Sequence, residues 1–513
     1  MNLRIGFFLT RLFTLQICLL IFSQIIQGQS QDKLYDEPFR PQFHFTPEKN
    51  WMNDPNGLVY YKGEYHLFYQ YNPFGNSWGH MSWGHAVSPD LVHWKHLPVA
   101  LAEENGVMIF SGSAVVDWNN SSGLCKSSDP KDKSCLIAIY TGHIEEPRHE
   151  AQHLAVSNDR GRTWTKFAGN PVVDIGSKDF RDPKVFWHEA TKKWVMVVSL
   201  SKEQTVRLYG SQNLQKWELL SEFGGAGVAD KSIQWECPDL FELPITNQPN
   251  KKRWVMIVNI NPGGAAGGSA GQYFVGNFDG KTFMNDNSAE TKLFVDYGKD
   301  FYAGVTFSDV PKSDGRRILL GWMSNWDYAQ KEPTSPWRTA MSLPRELKLK
   351  QTAEGLQLVQ SPIIELKKLR GTAIIKRNLD VSNGKTHSLA SGETMEISGE
   401  FSVGKDSSVL IRLHNGSDET LIGYDAGKMF IDRTKSGNVN FDPKFTGRHE
   451  VSLLPQQGKI KLHIFVDRSS VEVFGNDGEA ALTDRIFPTS KMQQVELRGA
   501  NAKCLTLNVW QLK

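Results

Sequence analysis

Three acidic residues stand beside turn-forming residues in stretches that also carry tryptophan or arginine. Asp54 lies in Trp51-Met52-Asn53-Asp54-Pro55-Asn56-Gly57, Asp182 in Phe180-Arg181-Asp182-Pro183-Lys184, and Glu236 in Trp235-Glu236-Cys237-Pro238-Asp239. Asp-Pro and Asn-Gly are turn dipeptides, so Asp54 is expected on a tight bend and not within a regular strand. Alone, such a heptad is more readily a structural turn than a site. Three acids that converge could divide acid, base and nucleophile roles among themselves. Glu236, between Trp235 and Cys237-Pro238, is expected to be the most desolvated and to keep its proton. Asp54, on a polar turn, is expected to stay ionised and act as a nucleophile. Asp182, beside Arg181, is expected to stay charged and to grip hydroxyl groups.

Convergence requires a scaffold, and the chain from about 40 to 345 reads as one strand after another. Runs such as Gly57-Leu58-Val59-Tyr60-Tyr61 and Trp194-Val195-Met196-Val197-Val198 are short, aromatic or β-branched, and bounded by turn residues. A turn recurs: Ser88-Pro89-Asp90…Trp94, Ser157-Asn158-Asp159…Trp164, Ser211-Gln212-Asn213…Trp217 and, more weakly, Asn277-Phe278-Asp279…Phe283. Its spacing of roughly 55–70 residues suits four strands with generous loops, so the expected architecture is all-β, a five-bladed β-propeller with a last unit near 301–345. Each acidic motif precedes a strand-like run, which places all three at equivalent innermost positions around one channel. Carboxylates gathered there with tryptophans have the composition of a glycosidic-bond-cleaving site. After a connector at 346–365, residues 366–513 alternate as strands with Gly, Asp and Asn turns, the pattern of a β-sandwich. Asp467 and Glu472 in that region are expected on solvated edges, and the domain is expected to be ancillary.

Residues 1–30 differ in kind. Arg4 and Arg11, an apolar run from Leu12 to Ile26, and small residues at Gly28 and Ser30 form the pattern of a secretory signal peptide, so a secreted protein is expected. Losing those arginines brings the formal charge of +2 to neutrality, which favours neither nucleic acid nor an anionic membrane as partner. Cys125 and Cys135 flank a polar loop and are either a disulfide or two free thiols; Cys237 and Cys504 read as isolated buried thiols.

Two motifs invite the wrong chemistry. His149-Glu150-Ala151-Gln152-His153 matches the zinc-protease pattern, but it runs into Leu154-Ala155-Val156 and should be extended, with its imidazoles about 13 Å apart. The tract Gly263–Gly271 fits no phosphate-binding spacing and is expected to be a flexible loop. His80 and His85 are expected to pack or to lie near substrate. No metal or cofactor is expected.

Together the three acidic motifs, with Phe68-Tyr69-Gln70-Tyr71-Asn72-Pro73, Phe110-Ser111-Gly112-Ser113 and Gly321-Trp322-Met323-Ser324-Asn325-Trp326, resemble glycoside hydrolase family 32, the β-fructofuranosidases, across nearly the whole mature chain. The resemblance implies a five-bladed propeller plus β-sandwich and retaining hydrolysis through a covalent fructosyl-enzyme. It implies Asp54 as nucleophile, Glu236 as acid/base and Asp182 as transition-state stabiliser. By the same matching Trp51, Asn53, Gln70, Trp78, Phe110, Ser111, Arg181 and Trp326 form the fructose pocket. Asn325-Trp326-Asp327-Tyr328-Ala329 and Pro333-Thr334-Ser335-Pro336-Trp337-Arg338 look most like exo-acting levanases and inulinases, so terminal fructose from levan or inulin is the expected substrate, with sucrose second. A sucrose-specific invertase, a fructosyltransferase, a related pentosidase and a non-catalytic fructan-binding protein are the alternatives.

Overall fold

The computed structural model describes residues 34–513 except 127, 128 and 130. The leader expected at 1–30 lies outside the described residues. The regular elements of the described residues are 33 strands and three short 3-10 helices.

Four-stranded antiparallel units follow one another along the chain. The first contains Asn50–Tyr61, Glu64–Tyr71, Ser82–Ser88 and Lys95–Leu101; the second Val107–Asp117, Cys135–Ile144, His149–Ser157 and Thr165–Lys166. The third contains Phe180–His188, Lys193–Leu200, Thr205–Ser211 and Glu218–Gly224, and the fourth Gln234–Ile245, Gln248–Asn261, Ala270–Phe278 and Phe283–Asn285. The fifth contains Tyr302–Thr306, Arg317–Met323, Arg345–Thr352 and Gly355–Pro362. These are five blades of a propeller, and their first strands neighbour one another around the axis. Trp337 and Arg338 close the ring by pairing in parallel with Asn50 and Trp51. Residues 346–362, expected within a connector, instead form the outer hairpin of blade 5. The chain leaves the propeller through a short 3-10 helix, Ile364–Leu369.

The repeated turn joins the third and fourth strands of each of the first four blades. Asp90 Oδ1 accepts from the backbone N–H groups of Val92 and His93, Asp159 Oδ1 from Thr163, Asn213 Oδ1 from Gln215 and Lys216, and Asp279 Oδ1 from Lys281 and Thr282. In three of them the tryptophan indole then donates back to the carbonyl three residues earlier: Trp94 to Leu91, Trp164 to Gly161, Trp217 to Leu214. A short polar side chain thus replaces a backbone partner, and an aromatic ring packs the turn against its blade.

A second repeat is invisible in the sequence. Every innermost strand carries an extra residue against its neighbour at the same height: Met52 to Pro55, Ile109 to Gly112, Arg181 to Lys184, Glu236 to Asp239 and Tyr302 to Val305 each span three residues opposite two. These are β-bulges, which bend a strand and re-aim its side chains. Pro183 and Pro238 occupy bulges, where a missing N–H costs no ladder bond. Asp182 and Cys237 take positive φ of 68° and 44° there. Asp54 therefore sits inside a strand at a bulge, and not on the tight bend expected.

Residues from 370 onward form a ten-stranded β-sandwich around Ile397, Val409, Ile411, Ile464, Val471 and Leu507. Asp467 and Glu472 are buried where it meets the propeller, contrary to the solvated edge expected: His44 bonds Asp467 at 2.8 Å and Glu472 at 3.0 Å, and Arg345 holds Glu472 at 2.6 Å. Alternation within one strand shows which face is turned inward; it does not show what another domain lays on that face. Cys125 and Cys135 form a disulfide with Cα atoms 5.2 Å apart.

Candidate active site

The bulges of blades 1 to 4 deliver Asn53-Asp54, Phe110-Ser111, Asp182 and Cys237 to one end of the axis, with Glu236 at the bulge edge. A cavity of about 290 Å³ opens there. Its walls contain Asn53, Asp54, Gln70, Trp78, Phe110, Ser111, Arg181, Asp182, Glu236 and Trp326, all expected, together with His143, Glu145, Arg148, Gln234 and Asn261, which were not. Trp51, expected to touch substrate, does not line the cavity. It is fully buried behind the wall, where its indole donates to Asn53 Oδ1 at 2.7 Å and its ring packs on Trp322 and Trp326.

Two of the carboxylates, Asp54 and Asp182, flank the Cys237 side chain. Cys237 Sγ lies 3.5 Å from Asp54 Oδ2 and 3.6 Å from Asp182 Oδ2, and the Cys237 backbone N–H donates to Asp182 Oδ2 at 3.0 Å. Ser111 Oγ donates to Asp54 Oδ2 at 2.7 Å and Asn53 Nδ2 to Oδ1 at 3.1 Å. Cys237 is thus no isolated thiol. Burial and the two carboxylates push it well above the usual thiol range, so it remains a protonated donor between them.

Depth among the acids runs opposite to expectation. Asp54 and Asp182 are 9% and 6% exposed, while the Glu236 side chain is 17% exposed. Glu236 Oε1 accepts from Arg181 Nε at 3.0 Å, and Oε2 from the Tyr302 hydroxyl. Burial pushes the Asp54 carboxyl up, the Ser111 hydroxyl pulls it back, and the charge of Glu236 adds to the rise. Burial also pushes Asp182 up, to about 8, with Glu236 reinforcing the shift against Arg181. Trp235, on one side of Glu236, turns its indole into the blade to donate to the Val228 carbonyl at 3.1 Å, and Cys237, on the other, lies in the bulge against Asp54 and Asp182, so the two do not bury the carboxylate between them.

Arg181 ties the cluster to the surrounding blades. Its Nη1 bonds Glu150 at 2.9 Å, and its Nη2 bonds Ser201 at 2.9 Å and Gln234 at 3.2 Å. Glu150 belongs to the zinc-protease look-alike, which is a strand as expected, His149–Ser157. Gln234 was findable, since it lies two residues before Glu236 on the same strand face, and Asn261 is its cross-strand partner. His143 reaches the cavity through a fold-dependent contact, its ring stacked at 4.1 Å on Phe110. The glycine tract is not a free loop. Asn325 Nδ2 donates to the carbonyls of Gly267, Ser269 and Lys299, Ser269 Oγ accepts from the Trp326 N–H, and a Cβ on Gly268 would lie 2.1 Å from Asn325 Oδ1. The tract buttresses the cavity wall at Trp326. Chemically the site offers several acidic groups in unequal surroundings, a guanidinium, and aromatic walls.

Known proteins resemble this chain over most of its length. The family model for the glycosyl hydrolases family 32 N-terminal domain matches residues 44–362, and that for the family 32 C-terminal region matches 365–511. The chain is 52% identical over 506 residues to a levanase of Bacillus subtilis (strain 168), covering 96% of this chain and 73% of that protein. It is 43% identical over 496 residues to an extracellular exo-inulinase of Aspergillus awamori, covering 89% of this chain and 91% of that one. The crystal structure of exo-inulinase from Aspergillus awamori superposes with a TM-score of 0.86 at 39% identity, over 93% of this chain and 99% of the other. A β-fructofuranosidase from Schwanniomyces occidentalis complexed with fructosyl-erythritol gives 0.86 and 39%, over 94% and 99%.

Proposed function

The chain belongs to glycosyl hydrolase family 32, and from that premise we propose that it is a secreted enzyme releasing terminal β-D-fructofuranosyl units from levan and inulin, and from sucrose as a second substrate. The observation that carries this reading is the meeting of Asp54, Asp182 and Glu236, from three blades, in the walls of one cavity. A cavity with nearly buried Asp54 and Asp182 in its lining, walled by Trp78, Phe110 and Trp326, suits the end of a fructan chain better than its interior.

Asp54 attacks the anomeric carbon of the bound fructosyl unit while Glu236 gives its proton to the departing oxygen. The resulting ester between Asp54 and the sugar is then cleaved by water, which Glu236, now ionised, deprotonates. Asp182 accepts hydrogen bonds from sugar hydroxyls. In the free enzyme its proton is held by burial; hydroxyl donors stabilise its charged form in the complex.

The test is product analysis on levan, inulin and sucrose in parallel, with Asp54→Asn and Glu236→Gln alongside wild type. Fructose is the expected product from all three, with retained configuration when first released, and each variant is expected to lose roughly a thousandfold or more in kcat. First-formed product of inverted configuration excludes Asp54 as nucleophile. Glucose released from sucrose in large excess over fructose marks a transferase instead.

A further inference from the structure

Glu150 is a fully buried carboxylate that touches no part of the cavity surface, in a motif that the family chemistry leaves unused. It nevertheless stands one side chain from the centre of the site. Its Oε1 and Oε2 accept from Arg181 Nη1 at 3.2 and 2.9 Å, and Oε1 also faces His143 Nδ1 at 3.0 Å. The same guanidinium reaches Glu236 through Nε at 3.0 Å. Arg181 is therefore shared between Glu150, fully buried in blade 2, and Glu236, facing the cavity from blade 4, with Asp179 at a longer 3.3 Å.

A guanidinium devoted to one carboxylate favours the ionised form of that carboxylate. Glu236 must carry a proton when the leaving oxygen departs, so an undivided Arg181 would oppose the reaction. We propose that Glu150 is a positioning residue that takes up the charge of Arg181 on the side away from Glu236, leaving Glu236 free to hold the proton for the leaving group. This rests on the reading of Glu236 as the acid.

The remaining charges around the pair do not supply the same effect. Asp179 meets Arg181 Nη1 at 3.3 Å, but Arg148 at 3.0 Å and Lys202 at 3.7 Å share it. Arg148 also stands 3.5 Å from Glu150. Glu145 faces the far nitrogen of His143, at 3.0 Å, and its side chain is largely exposed, so water screens it. Around Glu236 the other groups are the Tyr302 hydroxyl, the Cys237 thiol, Asp54 and Asp182, which are present whether or not Glu150 is charged. Glu150 is buried and in direct contact with the guanidinium, where a unit charge acts most strongly.

The experiment is the pH dependence of kcat/KM on sucrose and on levan for wild type, Glu150→Gln and Glu150→Asp, with Glu236→Gln in the same assay. The descending limb reports the essential acid of the free enzyme. With the amide the limb is expected about one pH unit lower, and kcat near neutrality about tenfold lower, with KM changed less than about threefold. The aspartate keeps the charge but withdraws it by one methylene, so its limb shifts the same way by less; it carries the test alone if the glutamine variant does not fold. A limb that stays in place in the folded variants, or moves upward, overturns the proposal, because a merely structural ion pair changes stability without moving the profile. If Glu236→Gln keeps wild-type activity, the assignment of the acid itself has failed. If Glu236→Gln is inactive and the Glu150 profiles are unmoved, the failure belongs to Glu150 alone.

Discussion

Asp182 carries the sharpest conflict between stability and chemistry. Burial, reinforced by the charge of Glu236, raises its carboxyl to about 8, against an ordinary value of 3.8. In the unfolded chain the same group loses its proton at the ordinary value, so between those limits the folded state binds more protons and stability falls as pH rises. The contribution is fully present below about pH 4 and is lost on passing through about 8. An amide has no such slope. Asp182→Asn is therefore expected to melt higher than wild type near pH 8 and to lose that advantage near pH 5, in thermal unfolding measured at both. The same variant is expected to lose roughly a hundredfold or more in kcat, because an amide cannot answer developing positive charge. A site that is costly to fold and needed for turnover matches what functional sites generally do. The acids themselves were legible because each sits in a short motif rich in turn residues and aromatics. Their relative depth was not legible: Glu236 looks buried between Trp235 and Cys237, yet its carboxylate reaches the cavity, held there by Arg181 and Tyr302 from other blades.

The two repeated elements of the blades differ in how much of them a sequence can carry. The Ser-x-Asp…Trp turn is built from contacts within eight residues, so its chemistry is written locally, and it alone suggested a propeller over a plain sandwich. The bulges exist as a register offset against the next strand, and no single strand records that, which is why Asp54 was expected on a bend. The turns should be measurably stabilising. Asp159 accepts from the Thr163 N–H at 2.9 Å, the Thr163 hydroxyl at 2.6 Å and the Ser157 hydroxyl at 2.8 Å. Burial works against its charge, but these bonds outweigh it and hold the carboxyl below its ordinary 3.8. A lowered carboxyl contributes stability that is present above the ordinary value and lost as pH falls through the folded one. Asp159→Ala is expected to cost about 1 kcal/mol near pH 7, read from denaturant midpoints, with the difference from wild type shrinking below about pH 4. Activity should be unaffected, since the turn lies at the outer edge of blade 2.

Propeller and sandwich meet across charges that neither domain could bury alone. Arg345 leaves the propeller with Asp296 at 2.8 Å and Glu472 of the sandwich at 2.6 Å, its guanidinium between the rings of Phe301 and Phe474 at 4.4 and 5.0 Å. Arg433 returns from the sandwich to Asp300, and Arg485 to Glu332 at 3.2 Å. A strand pattern assigns such acids to water because nothing local announces the second domain; what buries Asp467 and Glu472 is His44 and Arg345, more than a hundred residues away in the chain. The two domains are consequently one structural body at this seam, and the sandwich supports the blade that bears Trp322 and Trp326. Removing one partner of a buried pair leaves an uncompensated charge, so Arg345→Ala is expected to cost about 3–5 kcal/mol. Its pH dependence separates this account from simple loss of packing. Burial resists charge on His44, but Asp467 and Glu472 outweigh it and raise the imidazole above its ordinary 6.5. Stability from that imidazolium is present below the ordinary value and lost as pH rises through the folded one. Without Arg345, Glu472 depends on His44 for its compensating charge, which raises the imidazole further. The variant should therefore lie closer to wild type near pH 6 than near pH 9, in denaturant unfolding followed at both. An equal deficit at the two pH values would mean that Arg345 acts through its contacts with Phe301 and Phe474, and that the seam is held by packing instead of charge.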